Sequence, residues 1–586
     1  MLGTLLFIQL LFLVYKFRLI KLIMKKFIFV MAVMLSSSLS FAQPGMGGGS
    51  SGASTTYTFK TAINGLWHYD SSNNLYYIVG LYYCSNPAAS SYEQMGIYVP
   101  ASYMNATANS DGTYTCTINS TAKVNGYTSS TAPIVIPVNT PGYSAQSAPS
   151  GSSSDVVDYT NAGIIYLWAG CRGRDAGAPA GVTDLKAAIR YYRYLQAEQK
   201  AVPGNANAVF SFGHSGGGAQ SAVLGTSGNS SLYDDYLKAI GAVEGYKDDI
   251  GGAMCWCPIT NLDEADGAYE WNMGLTRSGL STADANISTG LATCFADYIN
   301  AIGLKDPSTG KALTLASTSD GYYQSGSYYE YIMGVINDAV SRYNSYNSAS
   351  VSSYSTTDAS ALKSFVSSYK KASKGLGAFD NYASKSAPEN QVFGIGGATG
   401  HFDEFLAQLV KTNASSYYSA FTSDLASSNV DAVGKAVKTR VMMYTPLYYL
   451  VDDTTYYNGG AGSSTVAPYW RIRTGIDQQD TGLPTEVNLA LALKGYDGVK
   501  AVDFETIWGQ AHTQAEDSGT AAANFISWVE KYAGSISGVE TVKTTDSDAV
   551  EVARYSVMGQ KLSRPVPGIN IVVMSDGTAK KVLVRE

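Results

Sequence analysis

The stretch Ala208-Val209-Phe210-Ser211-Phe212-Gly213-His214-Ser215-Gly216-Gly217-Gly218-Ala219-Gln220-Ser221-Ala222 decides the fold. A short apolar run enters the turn Gly-His-Ser-Gly-Gly, and a small-residue helix pattern leaves it. Strand, sharp turn and helix together make a nucleophile elbow: Gly213 and Gly217 let the turn close and Ser215 stands out with its hydroxyl free. The helix behind it presents backbone N–H groups to any negative charge that develops nearby, with that of Gly216 first. The pattern also occurs at Gly48-Gly49-Ser50-Ser51-Gly52, but in a low-complexity stretch with no strand before it and no helix after.

Upstream of the elbow, Ala162 to Trp168 has the continuous apolar character of a strand covered on both faces. It ends in Ala169-Gly170-Cys171-Arg172-Gly173-Arg174-Asp175, a Gly-rich loop where a second oxyanion donor is expected, from the backbone of Cys171 or Arg172. Arg172 and Arg174 also have Asp175 and Asp184 as ion-pair partners that would hold the loop. Asp184 to Gln196 places Leu185, Ala188, Ile189, Tyr192 and Leu195 on one helical face. Further upstream, Leu75 to Val79, Met95 to Pro100 and Ala132 to Val138 read as strands. Ile250 to Ile259 is another strand after the elbow. This alternation predicts a mostly parallel sheet covered by helices, the α/β-hydrolase class.

From Thr260 to Ala436 the chain turns polar, helical and Ser/Tyr-rich, which reads as a lid inserted into the core. The core pattern is expected to resume at Val437, with Arg440 to Tyr444. A helix from Pro484 to Lys494, a strand from Val499 to Trp508 and a helix from Ala521 to Tyr532 follow. The expected units are 57–259 and 437–533 for the core, 260–436 for the lid and 538–586 for a small β module.

A serine hydroxyl is a weak nucleophile until a base takes its proton, and that base needs a third group to fix its tautomer. Of four histidines, only His512 follows a late core strand. His214 adjoins Ser215, but neighbours on a tight turn point apart; His401 belongs to the lid, and His68 lies far from any reactive group. Asp477 and Asp480 flank the turn after the preceding strand. Asp480 is favoured as the acid because Thr481 begins a helix whose N–H groups would hold a carboxylate, although that placement also suits a simple cap. The order Ser, Asp, His is that of α/β-hydrolases.

Composition narrows the class further. The 586 residues carry a net charge of −7 with no basic stripe, which argues against nucleic-acid binding. Six cysteines are too few for a disulfide framework, although Cys84 and Cys116 offer a bridge in an oxidising compartment, and no cluster has zinc-ligand spacing. Met24-Lys25-Lys26, the apolar run Phe27 to Leu35 and a small-x-Ala end predict a signal peptide cut between Ala42 and Gln43, with translation starting at Met24. A Gly/Ser-rich linker, 43–56, follows. A secreted or cell-surface protein is expected.

Several segments together resemble the bacterial tannase-like (subtype B tannase) branch of the α/β-hydrolases. They are Gly170 to Asp175 with Ala178 to Lys186, the elbow through Asn229, Cys257 to Asp263 with Ala268 to Trp271, and Trp470 to Thr481. The resemblance implies a carboxylic-ester hydrolase acting on galloyl or related phenolic esters, with Ser215, Asp480 and His512 as its triad and no metal or organic cofactor. It further implies that Lys374, Glu389 and Asp477 bind phenolic hydroxyls. A feruloyl or acetyl esterase would share this machinery, and a surface binding protein that lost catalysis is the rival of another class. The segment from Gly538, with Tyr555 to Leu562, Gly568 to Val573 and Lys580 to Val584, resembles the C-terminal sorting domain of type IX secretion, which implies an outer-membrane secretion machinery as partner. An ordinary β accessory module fits the same pattern.

Overall fold

The computed structural model describes residues 57, 59, 61–536, 551–556, 560–574 and 579–584. The expected signal peptide with its Ala42/Gln43 site and the linker lie outside the described residues. Among the described residues, no helix is long and apolar enough to cross a membrane.

Nine strands build one sheet: β1 (His68–Asp70), β2 (Leu75–Tyr82), β3 (Gln94–Pro100), β4 (Ile134–Val138), β5 (Ile165–Ala169), β6 (Val209–His214), β7 (Gly252–Trp256), β8 (Tyr469–Gly475) and β9 (Ala501–Ile507). Their spatial order is β1-β2-β3-β5-β4-β6-β7-β8-β9. The pairs from β1 to β5 along this order are antiparallel, and every pair from β5 to β9 is parallel. Alternate side chains of the central strands enter two different apolar clusters. Val209, Ala253, Cys255 and Ile472 face one, while Phe210, Met254 and Trp256 face the other with Phe525 and Trp528. That double burial explains the unbroken apolar runs of these strands.

Helices α1 (Ala180–Tyr194) and α2 (Gly216–Thr226) follow β5 and β6. The segment between β7 and β8 carries α3 (Ala265–Met273), α4 (Thr282–Ile302), α5 (Ser327–Asn347), α6 (Ala361–Tyr369), α7 (Glu404–Asn413) and α8 (Val437–Met443). Val437–Met443, where the core pattern was expected to resume, is thus helical, and the sheet resumes only at Tyr469. Val437, Arg440 and Val441 are buried at the i, i+3, i+4 spacing of one helical face. Helix α9 (Leu483–Gly495) joins β8 to β9, and α10 (Ala521–Ala533) covers the second face. The fold is that of an α/β-hydrolase.

The C-terminal segment forms a separate four-stranded antiparallel sheet of β10 (Glu551–Ser556), β11 (Lys561–Leu562), β12 (Gly568–Met574) and β13 (Ala579–Val584), in the order β11-β10-β12-β13. The possible Cys84–Cys116 bridge is not formed: all six cysteines are free. Cys84 turns instead toward the Glu93 carboxylate, at 3.8 Å, and Cys116 is buried in a hairpin of its own.

Candidate active site

Ser215 sits at φ 61°, ψ −124° between β6 and α2, a left-handed φ that a non-glycine residue holds only where its surroundings impose it. The glycines on either side impose it. A Cβ on Gly213 would lie 2.3 Å from the Gly217 carbonyl oxygen, and one on Gly217 would lie 2.0 Å from that of Val138. The Ser215 N–H donates to the Trp256 carbonyl at 3.0 Å, tying the elbow to the end of β7.

His512 stands in the loop after β9, and its Nε2 is 2.8 Å from Ser215 Oγ. That loop is anchored from below. Glu516 takes a bidentate ion pair from Arg471 of β8, both contacts 2.6 Å, and accepts the indole N–H of Trp256 at 2.9 Å. The side-chain amide of Gln510 donates to the Glu516 carbonyl at 2.6 Å. Burial pushes the His512 imidazole below its ordinary value; Asp480 pulls it up, while Lys374 and Lys370 add to the lowering. His512 is therefore a neutral base at pH 7, able to accept the Ser215 proton.

The other ring nitrogen has a different partner from the expected one. His512 Nδ1 is 2.7 Å from Gln478 Oε1, whereas the Asp480 carboxylate lies 3.8 Å away. Asp480 is the carboxylate paired with the histidine, but the hydrogen bond belongs to Gln478. Asp477 has a buried Oδ1 with no hydrogen bond; burial pushes its carboxyl up and Lys370 opposes that.

The oxyanion side differs too. The Cys171 N–H donates to the Gln146 carbonyl at 2.9 Å, and the Arg172 N–H donates to Asp184 Oδ2 at 2.8 Å. Neither expected donor is free to meet an oxyanion. Gly216 fits its expected role, since its N–H is the first of α2 and has no acceptor within the helix. What faces Gly216 is the loop after β4: a Cβ on Gly216 would lie 2.5 Å from the Tyr143 nitrogen and 3.3 Å from that of Gly142. Tyr143 N–H is committed to Thr140 O at 2.9 Å, so of the two loop nitrogens nearest Gly216 that of Gly142 is the candidate second donor. Arg174 supports it, donating to the Gly142 carbonyl at 2.5 Å.

The segment between β7 and β8 contributes Lys374 and Glu389. Glu389, at the start of the short helix Pro388–Val392, is 3% exposed and its Oε2 has no hydrogen bond. Burial raises its carboxyl, Lys374 and Arg174 oppose that, and Asp480 adds to it. Lys374 Nζ lies 4.2 Å from the Phe379 ring centre. The charges of Lys374 and Asp480 are felt at both Glu389 and His512, and Lys370, whose charge also reaches His512, feels both Asp480 and Asp477. His401 is a packing residue, stacked on Phe421 with ring centres 3.6 Å apart and bonded to Asp380 at 2.6 Å. His214 lies with its ring centre 4.7 Å from that of His512, its Nε2 buried without a partner, and burial drives it down to about 4. His214, Cys257 and His512 hold their ligand-type atoms within 4.8 Å of one another, a proximity that sequence spacing did not reveal. The Cys257 thiol is pushed up to about 11 by burial and so stays protonated.

Neither a protein-family model nor a curated protein matches the chain. Its fold is that of an α/β-hydrolase, and solved structures of bacterial tannases share that fold. A tannase from Fusobacterium nucleatum superposes with a TM-score of 0.62 at 29% identity, covering 78% of this chain and 95% of its own. The tannin acyl hydrolase of Lactobacillus plantarum gives 0.60 at 26% identity, covering 78% and 94%. A tannin acyl hydrolase in complex with ethyl gallate gives 0.60 at 27% identity, with the same coverage. This likeness supports an ester hydrolase of tannin acyl hydrolase type.

Proposed function

We propose that the protein is a secreted serine carboxylic-ester hydrolase of tannase type, cleaving galloyl or related phenolic esters through an acyl-enzyme. The observation that carries this reading is Ser215 Oγ at 2.8 Å from His512 Nε2, on an elbow that holds the serine in a left-handed backbone. Ser215 Oγ attacks the ester carbonyl as His512 takes its proton, and the carbonyl π pair moves onto oxygen. The oxyanion is met by the N–H of Gly216 and, from the opposing loop, that of Gly142. Collapse expels the alcohol, which receives the proton from His512. Water then repeats the sequence on the acyl-enzyme and releases the acid.

Lys374, Glu389 and Asp477 line the acyl side in this reading. A carboxylate that is buried with an unused oxygen, facing an ammonium, suits phenolic hydroxyls, which both donate and accept. The likeness to a tannin acyl hydrolase bound to ethyl gallate supports the same substrate class. The signal peptide expected at 24–42 and the C-terminal β sheet support export, with the latter as an address read by secretion machinery.

Hydrolysis of methyl gallate, methyl ferulate and 4-nitrophenyl acetate, by the protein and by Ser215→Ala, tests the reading. Turnover of gallate that vanishes in the variant is expected. Activity on ferulate without gallate would reject the galloyl group as substrate, and activity on acetate alone would reject the phenol-binding role of Lys374 and Glu389.

A further inference from the structure

In a serine triad one carboxylate does two things for the histidine: it fixes the tautomer by accepting the Nδ1 proton, and it balances the imidazolium charge. Here the group in hydrogen-bond contact with His512 Nδ1 is an amide, 1% exposed, at 2.7 Å. An amide can present either its oxygen or its NH2, and only the oxygen leaves Nε2 free to accept from Ser215. The surroundings of Gln478 decide which. Its Nε2 is 2.6 Å from Thr474 Oγ1 and 2.5 Å from Glu486 Oε1, and Thr474 Oγ1 also donates to Glu486 Oε1 at 3.2 Å. Turning the amide over would set its oxygen against the Glu486 carboxylate. Glu486 is fully buried on α9. Burial pushes its carboxyl up, and the buried ammonium of Lys370 pulls it back toward the charged form. Lys370 also donates to the Gln478 backbone carbonyl, holding the main chain of the same residue.

Resting on the esterase reading above, we infer that the triad's third place is divided. Gln478, locked by Glu486, is the positioning residue that sets the tautomer and direction of His512, while Asp480 at 3.8 Å and 46% exposed supplies charge without the orienting bond.

The test compares kcat and KM of Gln478→Met, Asp480→Asn, Glu486→Met and Glu486→Gln on the ester that the protein hydrolyses fastest. Gln478→Met keeps length and removes both amide functions. Its kcat should fall by roughly 10²- to 10⁴-fold, the range lost when a triad histidine is misoriented, with KM within about twofold. Asp480→Asn should lose about tenfold or less, since it removes one charge at long range. Glu486→Met should follow Gln478→Met, and Glu486→Gln, which still offers an oxygen to the Gln478 amide, should recover most of the loss. The Glu486 pair carries the test if Gln478→Met does not fold. Gln478→Met or Glu486→Met with kcat near that of the unaltered protein would overturn the inference, as would an Asp480→Asn loss larger than that of Gln478→Met. An unaltered protein that hydrolyses no ester would instead overturn the esterase reading, and the division of roles with it.

Discussion

Arg172 grips Asp184 with two guanidinium contacts, Nε to Oδ2 at 2.9 Å and Nη2 to Oδ1 at 2.6 Å, and donates its own backbone N–H to the same carboxylate at 2.8 Å. The loop after β5 is thereby fastened to the first turns of α1, with Asp184 fully buried. Removing one member of such a pair strands a charge in the interior. Asp184→Ala should cost about 3–5 kcal/mol of stability, read as a lower urea midpoint. Unchanged stability would mean that the pair is solvated.

The oxyanion assignment predicts an effect at Gly216 in a measurable direction. A Cβ there collides with backbone atoms of the Thr140–Tyr143 loop, which must withdraw. Gly216→Ala should lose about 10²–10³ in kcat, the usual cost of an oxyanion donor, and little in KM. A variant with native kcat would place the second donor elsewhere.

The pH profile carries a definite sign. The active base is neutral His512, and burial, the leading cause, sets its value below the ordinary 6.5. The acid limb of kcat/KM should therefore have its midpoint below 6.5. Asp480 is the charge that raises His512, so Asp480→Asn should shift the midpoint lower still. A midpoint above 6.5, or an upward shift in the variant, would contradict the charge role given to Asp480.

With six free cysteines, the unfolded protein should titrate six thiols without reductant, and reductant should leave the melting temperature unchanged. Four thiols would show that an oxidising compartment closes a bridge after all.

The elbow was legible because its requirements are local: an apolar run, glycines flanking a serine, small residues after. His512 was legible by its place just past a late strand. The sequence points to the wrong oxyanion loop because nearness in sequence is not nearness in the sheet. β5 is the strand next upstream of β6, but β4 lies between them, so the loop that reaches Gly216 follows β4. Asn139 to Tyr143 carried the signal, a Pro-Gly turn ending a fully apolar strand. Gln478 escaped because the chemistry of a triad directs attention to carboxylates, and an amide acquires that role only through Glu486 eight residues on. The helix Val437–Met443 reads as core in the sequence because five residues of a mixed apolar pattern fit either period.

The most direct test of the account is mass spectrometry after treatment with a fluorophosphonate ester, which reacts only with an activated serine. The account predicts one adduct per chain, on the peptide holding Ser215, lost in both Ser215→Ala and His512→Ala. No adduct, or an adduct that persists without His512, would contradict the claim that His512 makes Ser215 a nucleophile.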